Sequence, residues 1–174
     1  MKKITLILLS AALLLCAGLS GCTDSGSQKP SLTPEERTQL YETAITSARD
    51  QELNEAIPVL TDASDDTAQL IFPMLGLTAE DMEAFAIAVS PMNIRAYAVA
   101  AIYPAAERED AVWDGLDSFR ENQKQSFEQY LADQYEIAVN ARLETLEDGT
   151  ILLVMCEDQD DVFDDVRDAI VGQT

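Results

Sequence analysis

Carboxylates are the side chains of this chain whose number and spacing could do chemistry. The sequence holds 32 Asp and Glu against 11 Lys and Arg. The densest acidic run contains Glu157, Asp158, Asp160, Asp161, Asp164, Asp165 and Asp168. Calcium prefers such oxygen ligands, so the five aspartates from Asp160 to Asp168 are weak calcium candidates. Because the run lacks an Asp-x-Asp-x-Asp-Gly loop, we favour a solvated helix face whose acidic first turn suits the helix N-terminus.

Histidine is absent from the sequence, and this excludes most familiar catalytic centres. Ser-His-Asp and Cys-His nucleophiles, histidine zinc sites and the H-E-x-x-H helix all need it. The glycines form neither a phosphate loop nor a dinucleotide motif. A small carboxylate-dependent hydrolase is the least favoured alternative, because no acidic pair lies in the apolar context that would raise a pKa. We therefore predict a protein that is not an enzyme and that uses no cofactor.

The N-terminal segment resembles a bacterial lipoprotein signal peptide. Lys2 and Lys3 precede an apolar run over residues 4–17, and residues 19–22 (LSGC) resemble a lipobox. The run is shorter than the roughly 20 residues that span a bilayer. The resemblance implies cleavage before Cys22 and a diacyl lipid on its thiol, which meets the two-chain requirement for stable anchoring. We expect a signal peptide over residues 1–21 and attachment to the extracytoplasmic face of the cell membrane.

The expected mature chain is strongly acidic. It would hold 153 residues with nine basic and 32 acidic side chains, a net charge of −23. This charge argues strongly against nucleic-acid binding, because such binding depends on basic residues that neutralise phosphates. It also argues against a domain that lies on anionic lipid. Cys156 would be the remaining free thiol, and its apolar run over residues 151–156 predicts a buried, inert side chain.

The remaining chain divides into a linker and one domain. Residues 22–32 hold the lipidated cysteine and a polar, flexible linker, and residues 33–174 suit a single acidic domain. Thr33, Pro34 and Glu36 form a helix start with a capping box. This helix is expected to reach about Leu53. A second helical segment is expected over residues 65–75 and one further turn over residues 78–81.

Strand patterns begin at residue 84. Phe85, Ile87 and Val89 alternate with alanines, and the alanine face is expected to be covered by the first helix. The pattern then predicts a turn over residues 90–93, a strand over 95–103, a long helix over 104–133 and a strand over 136–146. A central strand over 150–157 and a last helix capped by Asp158 follow. We therefore predict an α+β fold with N-terminal helices and a four-stranded, mostly antiparallel sheet in β-β-α-β-β-α order.

This topology brings separate segments together. A strand–helix–strand crossover makes the second and third strands parallel. The turn over residues 90–93, the helix exit near residues 133–136 and the end of the fourth strand then share one sheet end. The candidate partner or ligand surface consists of Ser90, Met92, Asn93, Arg95, Glu157 and Asp158. The alternative is ordinary turn chemistry, because Pro and Asn occupy expected turn positions.

Four short motifs stand out in combination, namely residues 72–77 (FPMLGL), 81–84 (DMEA), 90–93 (SPMN), and 148–149 (DG) followed by 156–158 (CED). Together these segments resemble an uncharacterised bacterial lipoprotein family, domain of unknown function 4358, common in clostridial-type Gram-positive bacteria. The resemblance covers about residues 53–170. It implies a cell-surface lipoprotein but no activity and no catalytic residues. We expect an anchored module that binds a protein or small ligand, the alternative being a calcium-binding surface protein.

Overall fold

A computed structural model describes residues 32–174, which form a helix-covered sheet. The helices are α1 (Pro34–Ser47), α2 (Gln51–Ala56), α3 (Ala68–Met74), α4 (Glu109–Phe127), α5 (Ala132–Asn140) and α6 (Gln159–Val171). The strands are β1 (Met82–Val89), β2 (Ala98–Pro104), β3 (Arg142–Thr145) and β4 (Ile151–Met155). A single 3₁₀ turn, Ala79–Asp81, precedes β1. None of these helices combines the length and the apolar character needed to cross a bilayer.

The four strands form one antiparallel sheet in the order β1-β2-β4-β3. The predicted α+β class with a four-stranded sheet is confirmed. β2 and β3 run parallel to each other on either side of β4, as the crossover argument predicted. The pairing of Ala98 with Met155 puts the start of β2 and the end of β4 at the same sheet end. β1 finishes there too, because Val89 pairs with Ala98.

Each face of the sheet carries its own apolar core. On one face Phe85, Ile87 and Val89 pack with α3 and α4 residues such as Leu116 and Phe119. On the other face the alanines Ala84, Ala86 and Ala88 pack with Tyr41, Ala44 and Ile45 of α1 and with Phe163, Val166 and Ile170 of α6. The small side chains allow α1 to approach β1 closely, as expected from the sequence. Every residue of β4 is fully buried, as expected for a central strand.

The first helix begins where the sequence predicted it. The Thr33 hydroxyl accepts from the Glu36 N–H at 3.2 Å, and the Glu36 carboxylate accepts from the Thr33 N–H at 2.8 Å. The prediction that this helix continues to Leu53 is wrong, because α1 ends at Ser47 and α2 starts anew. The Asp50 carboxylate accepts from the Leu53 N–H at 2.7 Å. A competing side-chain cap therefore divides the predicted helix in two.

The region after α4 differs most from the prediction. The single helix over residues 104–133 is wrong, because α4 spans only Glu109–Phe127. The strand over residues 136–146 is also wrong in its first half, where α5 occupies Ala132–Asn140 and only Arg142–Thr145 forms β3. Ile137 and Val139 alternate with smaller or polar residues, which imitates a strand. The residues of this segment that contact the sheet end and the core are Gln134 and Ala138. They are four residues apart, which is the spacing of one helix face.

Candidate functional site

The end of the sheet where β1 stops and β2 starts gathers four segments. The Ser90 N–H donates to the Tyr97 carbonyl at 3.1 Å and closes the base of the turn. The side-chain oxygen of Gln134 on α5 accepts from the Ala96 N–H at 2.8 Å. The segment between α1 and α2 also arrives here, because Arg49 donates to the Tyr97 hydroxyl at 3.3 Å. The chain after β4 completes the group.

These segments enclose a cavity of about 270 Å³. Its lining includes the charged residues Arg49, Asp50, Arg95, Glu157 and Asp158. Tyr97 and Cys156 form part of its polar wall, and the side chains of Leu53, Ile137 and Val162 form an apolar part. Cations and anions therefore face one small space at the end of the sheet.

The predicted surface residues fall into two groups. Arg95, Glu157 and Asp158 line the cavity, whereas Ser90, Met92 and Asn93 lie outside its lining. Ser90 is buried and its hydroxyl accepts from the Met92 N–H at 3.3 Å, so its role in the structure is local. Met92 is 59% exposed, and its neighbour Ile94 is 68% exposed. The turn thus forms an apolar projection beside the cavity.

The cationic side chains are distributed unevenly over ion pairs. Eight Lys and Arg residues fall within the described residues 32–174. Six form ion pairs with acidic side chains, namely Arg37, Arg108, Arg120, Lys124, Arg142 and Arg167. Within that same part of the chain, Arg49 and Arg95 form none, although acidic residues are in large excess. Both unpaired arginines line the same cavity.

Arg49 is a site residue that the sequence reasoning missed. One of its terminal nitrogens, Nη1, donates to the Ile57 carbonyl at 3.1 Å and to the Tyr97 hydroxyl. Its Nε and Nη2 are shielded from solvent and have no acceptor among the described residues. The available signal was its place immediately before Asp50, at the boundary of two helices. The sequence pattern predicts a continuous helix across that boundary, and such a helix would not place Arg49 at the sheet end.

The thiol and phenol in the cavity wall are electrostatically inert at neutral pH. Burial raises the pKa of Cys156 to about 12, and the nearby carboxylates of Asp158 and Glu157 act in the same direction. Burial also raises the pKa of Tyr97, which the hydrogen bond from Arg49 opposes. Neither group supplies an ionised nucleophile near pH 7. The arrangement is suited to binding charged groups and lacks an activated nucleophile among these side chains.

The acidic run on α6 is neutralised in part by arginines. Arg142 of β3 reaches Asp160 at 3.4 Å and Asp164 at 3.3 Å, and its guanidinium lies 3.7 Å from the centre of the Phe163 ring. Arg167 pairs with Asp164 and Asp168. Asp161 and Asp165 are exposed. Within residues 32–174, no group of three potential metal ligands is arranged to hold an ion.

Asp158 occupies the N-cap position of α6 but makes no capping hydrogen bond with its side chain, unlike the cap that we predicted.

A larger cavity of about 650 Å³ lies at the opposite end of the sheet, beside Tyr103 and Gly149. Its charged lining residues are Glu83, Glu107, Glu109 and Asp110. All four are acidic, and no cation without an ion pair lies among them. A group of acidic side chains is expected at many places on so acidic a domain and does not mark a site. We therefore place the candidate site at the Arg49–Arg95 cavity.

Cys22, the predicted lipidation site, lies outside the described residues, as do the predicted signal peptide and all but the last residue of the linker. No curated protein and no solved structure matches the chain. A family model described as "Domain of unknown function (DUF4358)" matches residues 58–156. That range contains the whole sheet together with α3, α4 and α5. Because the match covers more than half of the 174 residues, the chain belongs to this family of unknown function.

Proposed function

We propose that the protein is a membrane-anchored, extracytoplasmic lipoprotein whose domain binds a ligand through an anionic group in the Arg49–Arg95 cavity. One observation carries the binding proposal. The two arginines that form no ion pair among the described residues converge on one small cavity. Two arginines without an acidic partner leave guanidinium N–H donors for the oxygen atoms of an incoming carboxylate or phosphate, beside the carboxylates of Glu157 and Asp158.

The hydrogen bonding of Arg49 supports the same proposal. A shielded donor without an acceptor destabilises a fold by about 1–3 kcal/mol. Arg49 has two such nitrogens, Nε and Nη2. A ligand oxygen that reaches them after a small shift of the cavity wall would relieve that cost. Arg95 is exposed, so it is the cation that a ligand meets first.

The direction of α1 supports a membrane-anchored receptor. Near the start of α1, Arg37 pairs with Asp148 in the β3–β4 turn. Just past its end, Arg49 contacts Tyr97 at the cavity. α1 therefore runs from one end of the sheet to the other, and the proposed tether joins it at the end away from the cavity. An anchor at Cys22 would leave the cavity open to the surroundings.

Binding fits the titration behaviour better than hydrolysis does. The described carboxyl groups with a shifted pKa are Asp62, Asp65, Asp81, Glu121 and Asp133, and in every one the pKa is lowered. Ser64, Thr67, Thr78, Arg108, Lys124 and Gln134 supply the hydrogen bonds that lower it. A carboxyl general acid needs the opposite shift. None of these five lines the Arg49–Arg95 cavity.

The test is a titration of the full chain with sodium propionate and with sodium phosphate at constant ionic strength, with chloride as the reference. NMR signals of the arginine Nε–H groups report binding at each guanidinium. Arg95→Gln should weaken binding about tenfold, because a hydrogen bond to a charged group contributes about 1.5–3 kcal/mol. Arg167→Gln removes a partly exposed, paired arginine from α6, outside the cavity, and should leave binding unchanged. Absence of saturable binding to both anions and to the amino acids compared below, or equal weakening by both variants, would refute the proposal.

A further inference from the structure

The lining of the cavity also includes two carboxylates that form no ion pair and no side-chain hydrogen bond among the described residues. Glu157 and Asp158 are exposed and line the cavity. Within residues 32–174, neither side chain takes part in an ion pair or a side-chain hydrogen bond. The third acid of the lining, Asp50, is different, because its carboxylate already accepts from the Leu53 N–H.

The arginines and the two carboxylates therefore line the same cavity without forming ion pairs with each other. The register that pairs Ala98 with Met155 brings residues 95–97 alongside residues 156–158. Arg95 nevertheless turns its guanidinium toward the Tyr97 ring, 5.6 Å from the ring centre. Arg49 is held behind it by Ile57 and Tyr97. Two cations and two anions remain on the wall of one cavity, and within residues 32–174 none of the four forms an ion pair.

The volume of the cavity, which is open on one side, indicates the size of the group that fits inside it. A space of about 270 Å³ corresponds to about nine water molecules at roughly 30 Å³ each. It lies just below the lower bound of about 300 Å³ for pockets that hold drug-sized ligands. The apolar side chains of Leu53, Ile137 and Val162 leave room for a short aliphatic or aromatic group beside the charges.

We infer that the ligand is a zwitterion of amino-acid size, with its carboxylate toward Arg49 and Arg95 and its ammonium group toward Glu157 and Asp158. This inference rests on the anion-binding function proposed above and specifies its ligand class. A simple carboxylate gains the arginines but meets repulsion from two carboxylates. A simple amine has the reverse difficulty. A ligand that carries both charges satisfies both walls, so the arrangement selects zwitterions over either half alone.

The experiment uses matched ligand pairs and the full chain. L-Alanine is compared with propionate, L-norvaline with pentanoate, and L-phenylalanine with 3-phenylpropionate. Alaninamide, which lacks the carboxylate, is the third arm. Arginine Nε–H signals report binding, and the fluorescence of Trp113 during heating reports folding. At least one amino acid should bind tenfold or more tightly than its deaminated partner, and alaninamide should bind at least tenfold more weakly than alanine.

Variants separate the two walls of the cavity. The double variant Glu157→Gln/Asp158→Asn should reduce the preference of the amino acid over its partner to less than twofold while keeping the melting temperature. The matched control, Asp161→Asn/Asp165→Asn, removes two exposed charges from α6 outside the cavity and should keep the preference. If the simple carboxylates bind but no amino acid binds more tightly, the zwitterion inference is overturned and anion binding stands. If none of the probes binds, the proposed function fails as well.

Discussion

At the scale of single residues, Cys156 shows how burial removes reactivity. It follows β4 directly and is 7% exposed. Burial raises its pKa to about 12, against about 8.5 for an exposed thiol. Below the pKa that the Cys156 thiol has in the unfolded chain, the thiol is neutral in both the folded and the unfolded state. At such pH values its full contribution to the free energy of unfolding is present. As the pH rises toward the folded value, the unfolded chain gains a thiolate that the folded chain resists, and stability is lost.

A variant without the thiol should therefore be less sensitive to alkali. We expect the unfolding free energy of the wild type to fall by about 2 kcal/mol more than that of Cys156→Ala between pH 8 and pH 10. Guanidinium denaturation followed by Trp113 fluorescence measures both, since Trp113 is the single tryptophan. The effect of tyrosine ionisation on stability cancels in this comparison, because the same tyrosines ionise in both proteins. Equal losses would mean that the thiol is accessible in the folded state.

Individual cations were the least predictable residues. Arg95 could be assigned from topology, because it follows a turn between two well-patterned strands. Arg49 could not, because its role depends on where α1 ends. Arg37 also escaped notice, since a charged residue early in a helix ordinarily faces solvent. Arg37 pairs with Asp148, 111 positions away, and Arg49 donates to Tyr97, 48 positions away, and local patterns do not contain that information.

At the scale of elements, a buried polar network fastens α1 to the β3–β4 turn. Arg37 Nη1 lies 2.6 Å from an Asp148 carboxylate oxygen, and both side chains are less than a tenth exposed. The Arg37 guanidinium lies 3.9 Å from the centre of the Tyr103 ring. The hydroxyls of Tyr41 and Thr150 share a hydrogen bond of 2.6 Å. The network lies outside the alanine contacts between α1 and β1, so it fixes the position of the helix along the sheet.

Loss of one partner in this network should be more harmful than loss of both. Asp148→Ala leaves a buried guanidinium unpaired and should cost about 3–5 kcal/mol of unfolding free energy. Arg37→Met/Asp148→Ala removes the stranded charge and should recover part of that loss. Denaturant titration measures each value. The exposed pair is the control, and Arg167→Met/Asp168→Ala should stay within about 1 kcal/mol of the wild type. A double variant less stable than Asp148→Ala would contradict the view that the unpaired, buried guanidinium of Arg37 causes the loss of stability.

Elements with strong periodicity were predictable from the sequence, and short ones were not. The alternation in β1, the apolar β4 and the capping box of α1 each agree with the structure because local preference and burial coincide there. The segment over residues 132–140 failed because a short apolar alternation does not distinguish a strand from a helix. In the structure the Ala96 N–H donates to the Gln134 side chain of α5, a contact between distant segments that no local pattern contains.

At the scale of the whole molecule, the acidic surface and the cavity have different consequences. A net charge of −23 in the expected mature chain favours solubility and repels anions at long range. For the ligand proposed above, selection would then depend on short-range contacts with Arg49 and Arg95, and a zwitterion would approach with no net charge to be repelled. The proposed anchor attaches to α1 at the other end of the sheet. The charged domain can therefore stand away from an anionic membrane while the cavity faces outward.

The anchor itself gives the last prediction. In a bacterial host that processes lipoproteins, the full precursor grown with labelled palmitate should yield a labelled product that enters the detergent phase of a two-phase extraction. Cys22→Ser should lose the label, because the thiol that would carry the acyl chains is gone. Two chains are needed for stable attachment, since one saturated chain gives only marginal, reversible binding. Detergent partitioning should therefore follow the label across the variants.

The other two cysteines provide matched controls for this experiment. Cys156→Ser changes a thiol in the folded domain, and Cys16→Ser changes one within the apolar N-terminal run. Both should retain the label, because neither stands at the end of the lipobox-like tetrad. A Cys22→Ser product that still carries palmitate would sink the lipoprotein proposal. It would leave the binding proposal intact, because the Arg49–Arg95 cavity depends only on residues of the folded domain.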